Sequence, residues 1–291
     1  PVKIEFLGSD NKVIRTFEGK VKRRVEKPEA KPAGEEMKTS QPAVAENKPP
    51  EKQKEEADEE KKEEEEVKLE PVPGWNQFSW DLRLEKAKKF DGLILWSEDG
   101  LQGPRVVPGK YQVRLTVAGA SQTQPFELAA DPRSSTPMTG LQEQFNFLVE
   151  CHDKLTQMHE QIKKIRTVRG QINDFKKRLK SNEKYKTVLD AATDLDKKMT
   201  EIEEALYQTK NRSRQDPLNF PIRLNDKLAS LASTVGTGDF PPTAQAIAVK
   251  TELFAAIDSE LSKLSAIWEK DLPTINKMLR DQETPALSVE R

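Results

Sequence analysis

Side chains alternate every second residue in the first part of this chain and repeat every three to four residues in the rest. Val2, Ile4 and Phe6 alternate with Lys3 and Glu5, and Val13 to Phe17 follows the turn cluster Gly8–Asn11, which predicts a β-hairpin. Tyr111, Val113, Leu115 and Val117 alternate with Lys110, Gln112, Arg114 and Thr116 after Pro108-Gly109, the clearest strand pattern in the chain. In GWNQFSWDLR the alternation sets Asn76, Phe78, Trp80 and Leu82 on a core face and Trp75 on the opposite one. Phe90–Trp96 gives a turn and a short apolar run. Gln122–Ala130 reads as a last strand that Pro125 confines to an edge or bulge. Six or seven short strands at this spacing predict an antiparallel sandwich.

The period changes after Thr136-Pro-Met-Thr139, where Thr139 and Gln142 have capping-box spacing. Leu148, Cys151, Leu155, Met158, Ile162, Ile165, Val168, Ile172, Phe175 and Leu179 make one apolar stripe. Asn182 interrupts it, and Tyr185 to Leu206 resumes it. A break this short predicts an antiparallel helical hairpin, with a basic end on the first helix facing acidic residues on the second. Helices are expected near 139–181, 184–210, 222–236 and 241–283, with Pro273 kinking or splitting the last and a frayed tail at 284–291. The predicted class is all-β plus all-α in two domains. Residues 1–133 are an immunoglobulin-like antiparallel β-sandwich, and residues 139–283 an elongated antiparallel α-helical bundle that resembles a coiled coil.

Composition modifies this picture in one place. Charged residues are 33% and apolar residues 35% of the 291, with net charge −1. From Arg24 to Val72 there are 16 acidic and 10 basic residues and no aromatic residue. Such a stretch cannot offset its ordering entropy, so residues 24–72 are expected to be a disordered charged insertion in the sheet domain. The remaining net charge is about +5, too diffuse for nucleic acid recognition, and no apolar run approaches the roughly 20 residues of a membrane span. The chain opens PVKIEF without an initiator Met or a signal peptide, and we expect it to be a piece of a longer polypeptide.

Candidate chemistry is sparse. His152 and His159 share a helix face beside Cys151, Asp153 and Glu160, but their spacing fits no zinc template, so no metal and no cofactor is predicted. Cys151 falls in the apolar stripe and reads as a buried thiol. With two histidines in all, a Ser/His/Asp arrangement has almost no candidates. No catalytic residue is assigned. Trp75, pointing away from the core face, is the one candidate ligand-facing residue, on which a sugar ring could stack.

VKIEFLGSDNKVIRTFEG, GWNQFSWDLR and VVPGKYQVRLTVAGASQTQPFEL, ending in AADPR, follow one another in an order that resembles a known region. It is the C-terminal immunoglobulin-like region of large exported bacterial proteins with sortilin-like, Asp-box β-propellers, often labelled glycosyl hydrolases. The Pro-Gly-x-Tyr-x-Val-Arg strand is also similar to the immunoglobulin-like domain of the flagellar hook-capping protein. Leu141-Gln-Glu-Gln-Phe145 and Ile165-Arg-Thr-Val-Arg169 stand where that propeller family carries a helical tail. The resemblance implies a non-enzymatic accessory region that docks other domains of its polypeptide or another protein, in a periplasmic, outer-membrane-associated or extracellular location. No catalytic residue is carried over, because the propeller and its Asp boxes are absent, and the acidic insertion departs from the family pattern. A carbohydrate-binding module serving an upstream hydrolase and a cytoplasmic coiled-coil adaptor are the alternatives.

Overall fold

The computed structural model describes residues 1–20, 69–179, 183–282 and 285–289. The insertion expected at 24–72 lies, but for its last residues, outside them, as does the break at Asn182. The architecture is mixed, a small four-stranded antiparallel sheet plus helices, and the chain divides into two compact units, Pro1–Trp80 with Lys110–Glu127 and Asp81–Gly109 with Leu128–Arg291.

In the sheet unit, β1 (Val2–Leu7) and β2 (Val13–Gly19) form the expected hairpin, closed by Gly8 and Asn11 with Asn11 at φ 62°. β3 (Gly109–Val117) and β4 (Ala120–Leu128) form a second hairpin, and both turn residues, Ala118 and Gly119, have positive φ as a type I′ turn requires. The strand order is β2-β1-β3-β4, with Val2 opposite Val117 and Phe6 opposite Val113, so strands on either side of residues 21–68 pair in one sheet. Pro125 sits on the edge strand β4. One face carries Val2, Ile4, Phe6, Phe17, Tyr111, Val113, Leu115 and Val117. Trp80 stacks on Phe6 at 4.2 Å and Phe78 packs on Phe17 at 4.7 Å, while Leu115 and Val117 at the other end are exposed.

Among the described residues four strands stand where six or seven were expected, and the reason is local. Residues 75–80 cover the aromatic face without joining a ladder: Asn76 turns its amide onto the backbone of Val72 and Gly74. Phe90–Trp96 belongs to the helical unit, so Trp96 does not share a domain with Trp75 and Trp80.

In the helical unit, α1 (Met138–Leu179) is 42 residues long, about 63 Å at 1.5 Å per residue. It starts at Met138, with the Leu141 N–H donating to Pro137, and Gln142 bonds Asn146 rather than a cap. Cys151, Leu155, Met158, Ile162, Ile165, Val168 and Ile172 are fully buried along one stripe. α2 (Lys186–Leu206) lies antiparallel to the C-terminal half of α1, held by Arg169–Asp196 and Arg166–Glu203 pairs; the basic end of α1 contributes neither. α3 (Leu224–Val235) lies antiparallel to the N-terminal half, where Gln144 donates to the Val235 carbonyl. α4 (Ala244–Ala266) runs parallel to α1, with pairs Lys250–Glu150 and Lys154–Asp258. A π turn, Ile267–Asp271, joins it to α5 (Leu272–Arg280); Pro273 has no N–H to give the preceding turn, and the wider turn splits the helix there. Residues 285–289, in the stretch expected to fray, are docked: Leu287 is buried and exchanges two hydrogen bonds with Asn276, and Ser288 bonds Gln171.

Candidate functional site

The densest polar chemistry lies where residues 81–109 cross the helical unit. This strap bends back on itself: the Leu84 N–H donates to Pro104, that of Ala87 to Leu101, and that of Val106 to Leu82. Ala87, Phe90, Leu95 and Leu101 enter the helical core between the end of α2 and the start of α3. A strand would give its backbone groups to a neighbouring strand. Here helix side chains take them. Asp226 accepts from the Trp96 and Ser97 N–H groups at 2.9 and 3.1 Å, and Thr156 accepts from that of Lys88. The Tyr207 hydroxyl donates to Gly92 and accepts from Ile94, and Arg166 donates to the Asp91 carbonyl. Full satisfaction of these groups makes an irregular segment tolerable at a buried position.

His159 sits beneath the strap, 1% exposed. Nδ1 lies 2.7 Å from the Lys88 carbonyl, which can only accept, so Nδ1 carries the ring proton. Nε2 then presents its lone pair to the Asn225 amide at 3.4 Å, and Asn225 is oriented by the Asp226 N–H donating to its Oδ1 at 2.8 Å. The Phe90 ring stands roughly perpendicular to the imidazole at 5.3 Å and to the Tyr207 ring at 5.0 Å. Burial pushes the His159 pKa from 6.5 down to about 4, against a pull upward from the Lys88 carbonyl and with a further push down from Lys89. Beside it, Glu203 is buried between Arg166 and Arg169, and the Arg166 guanidinium covers the Phe90 ring at 4.5 Å. Burial works to raise Glu98 at the strap's outer edge, but hydrogen bonds from Lys89 and Arg214 outweigh it and keep the carboxyl below its usual range.

No family model, curated protein or solved structure matches this chain.

The residues singled out from the sequence are dispersed. Trp75 is 83% exposed in the sheet unit. His152 hydrogen-bonds Asp153, whereas His159 is committed to the strap, and among the described residues no group of three or more His, Cys, Asp or Glu side chains converges as a metal site would. Cys151 is fully buried, and burial pushes its thiol up to about 12, so it holds its proton at neutral pH. A groove of about 470 Å³ between α2 and the π turn is bridged by Lys198 and Asp271 over Ile202 and Ile267. Among the described residues no helix is long and apolar enough to cross a membrane. Sequence reasoning missed Asn225, Asp226, Tyr207 and Glu203. The available signal was Asp226 in the first turn of a short helix that begins immediately after Pro221–Arg223, and it resembles ordinary helix-start chemistry.

Proposed function

We propose that this chain is a non-catalytic accessory and interaction region of a larger exported bacterial propeller protein, working in the periplasm, at the outer membrane or outside the cell. In this reading the sheet is the nucleus of an immunoglobulin-like sandwich and the helices form an elongated antiparallel bundle. The observation that carries it is where the titratable chemistry goes. His159, Asp226, Tyr207 and Arg166 bind the backbone of the chain's own strap, and Glu203 binds Arg166 and Arg169. Groups with those partners act as fasteners of a scaffold. The order of strand and helix motifs supports the propeller association. The test mixes this chain with the separately produced propeller of its parent and follows complex formation by size-exclusion chromatography and calorimetry. A stoichiometric complex is expected. Turnover of a glycoside panel by this chain alone, or a parent reading frame without a propeller, overturns the proposal.

A second reading, a carbohydrate-binding module, is favoured by Trp75, a residue 83% exposed. It requires binding on a glycan array that Trp75→Ala abolishes.

A further inference from the structure

We infer that the strap is a proton-operated latch: a second proton on the His159 ring releases residues 85–101 from the helices while the helices themselves stay folded. The geometry leaves that proton no acceptor. Nδ1–H is already spent on the Lys88 carbonyl, and Nε2 faces an amide nitrogen that is itself a donor. Asn225 cannot offer its oxygen instead without giving up the Asp226 N–H. The cation would also be out of reach of water, since His159 is buried beneath the strap.

The neighbouring charges are committed elsewhere. On the strap, Lys88 pairs with Glu160 and Lys89 with Glu98. On the helix of His159 itself, Glu160 is taken by Lys88 and Arg166 by Glu203. From α2 comes Glu203, held by two arginines; from α3 comes Asp226, holding two strap N–H groups. No carboxylate among them is spare to neutralise an imidazolium, and Lys89 opposes one.

The sign follows from linkage. The closed strap holds His159 neutral down to about pH 4, whereas the exposed ring ionises at its ordinary 6.5. Protons therefore bind the open form better, and closure is fully favoured above pH 6.5 and weakens as pH falls toward 4. The open fraction rises about 20-fold between pH 7 and pH 5 for that pair of values. Release stays local because the strap is held by separate backbone-to-side-chain bonds and four apolar side chains, whereas α1 and α2 share an unbroken apolar stripe.

The test is hydrogen exchange of the intact chain at pH 7 and pH 5, corrected for intrinsic rates. The amides of Lys88, Ile94, Trp96 and Ser97 are expected to lose about 20-fold in protection, while those of Ile165–Ile172 stay within about twofold. In His159→Gln, whose amide donates and accepts without titrating, the strap loss is expected to vanish. Should that variant not fold, the ring resonances of His159 in the native chain decide: they are expected to titrate well below 6.5, while the strap amides lose protection progressively from pH 6.5 downward. Flat strap protection, strap and helices exchanging together, a pH loss undiminished in His159→Gln (where every carboxylate is retained), or a ring titrating near 6.5 overturns the inference.

Discussion

Replacing Gly100 by alanine is the sharpest perturbation of the strap, because the usual effect of the change has the opposite sign. Gly100 does not need positive φ, so an alanine there would ordinarily stabilise the chain by about 0.4–1 kcal/mol through the unfolded state. But a Cβ at Gly100 falls 1.9 Å from the Ala229 carbonyl oxygen and 2.7 Å from the Ala229 Cα, in the backbone of α3. The strap must retreat by about 1.5 Å to restore ordinary contact. That displacement takes the Trp96 and Ser97 N–H groups, now 2.9 and 3.1 Å from Asp226, out of hydrogen-bonding range. Two bonds to a carboxylate are worth about 1.5–3 kcal/mol each, and Leu101, 1% exposed, is pulled partly from the core. Partial relaxation recovers some of this, which leaves a net loss of about 3 kcal/mol. Urea unfolding followed by the helical signal should show a lower midpoint with unchanged slope, or a pre-transition confined to the strap. Gly170→Ala is the control. It lies in α1 with nothing within 4 Å of its Cβ and should gain about 0.5–1 kcal/mol. Gly100→Ala as stable as the native chain would refute the close packing of strap on α3.

Three further outcomes follow from the same contacts. Glu203→Gln leaves Arg166 and Arg169 without their shared buried carboxylate and should cost about 2–4 kcal/mol, read as a fall in melting temperature; the arginines are partly exposed, which keeps the loss below that of a fully buried pair. Ala118→Asn places Asn-Gly in a type I′ turn where alanine now holds φ 50°, and should stabilise the sheet unit by about 0.5–1 kcal/mol in thermal unfolding. Cys151 should resist a thiol reagent at pH 8 in the native chain and react at once in denaturant, because burial both shields the thiol and raises its pKa to about 12; rapid native labelling would place it at the surface.

Periodicity made the helices legible. Every step of three or four from Cys151 to Ile172 reappears as a buried position, because a long helix offers one continuous face to its neighbours. The β1–β2 hairpin and the β3 strand were legible for the same reason, as Phe6, Phe17 and Tyr111 pack where the alternation placed them. Pattern reading failed at GWNQFSW and at Phe90–Trp96, where it saw alternation or a short apolar run but not what would satisfy the backbone. Apolar runs of that length suit a strand or a buried loop equally well. The deciding group was local in the first case, Asn76 closing its own turn, and distant in the second, where Tyr207 and Asp226 lie 113 and 130 residues away along the chain.

Those groups also explain why the strap is irregular. α2 ends at Leu206 and α3 begins at Leu224, so the row of helices flanking α1 is interrupted where Met158, His159 and Ile162 are buried. A helix inserted there would bring four unpaired N–H and four unpaired C=O groups into a space already closed by two helix ends. An irregular segment can instead fit each of its polar groups to a particular side chain, and Phe90, Leu95 and Leu101 fill the apolar volume. Its stability then rests in part on a few directional bonds, among them one to a neutral histidine, and this ties the helical core's completeness to a group whose charge can change. Substituting Asp226 by Asn separates the two contributions: it weakens the hold on Trp96 and Ser97 at every pH. A strap that in this variant loosens only on acidification would show that the histidine, rather than the carboxylate, sets the strength of closure.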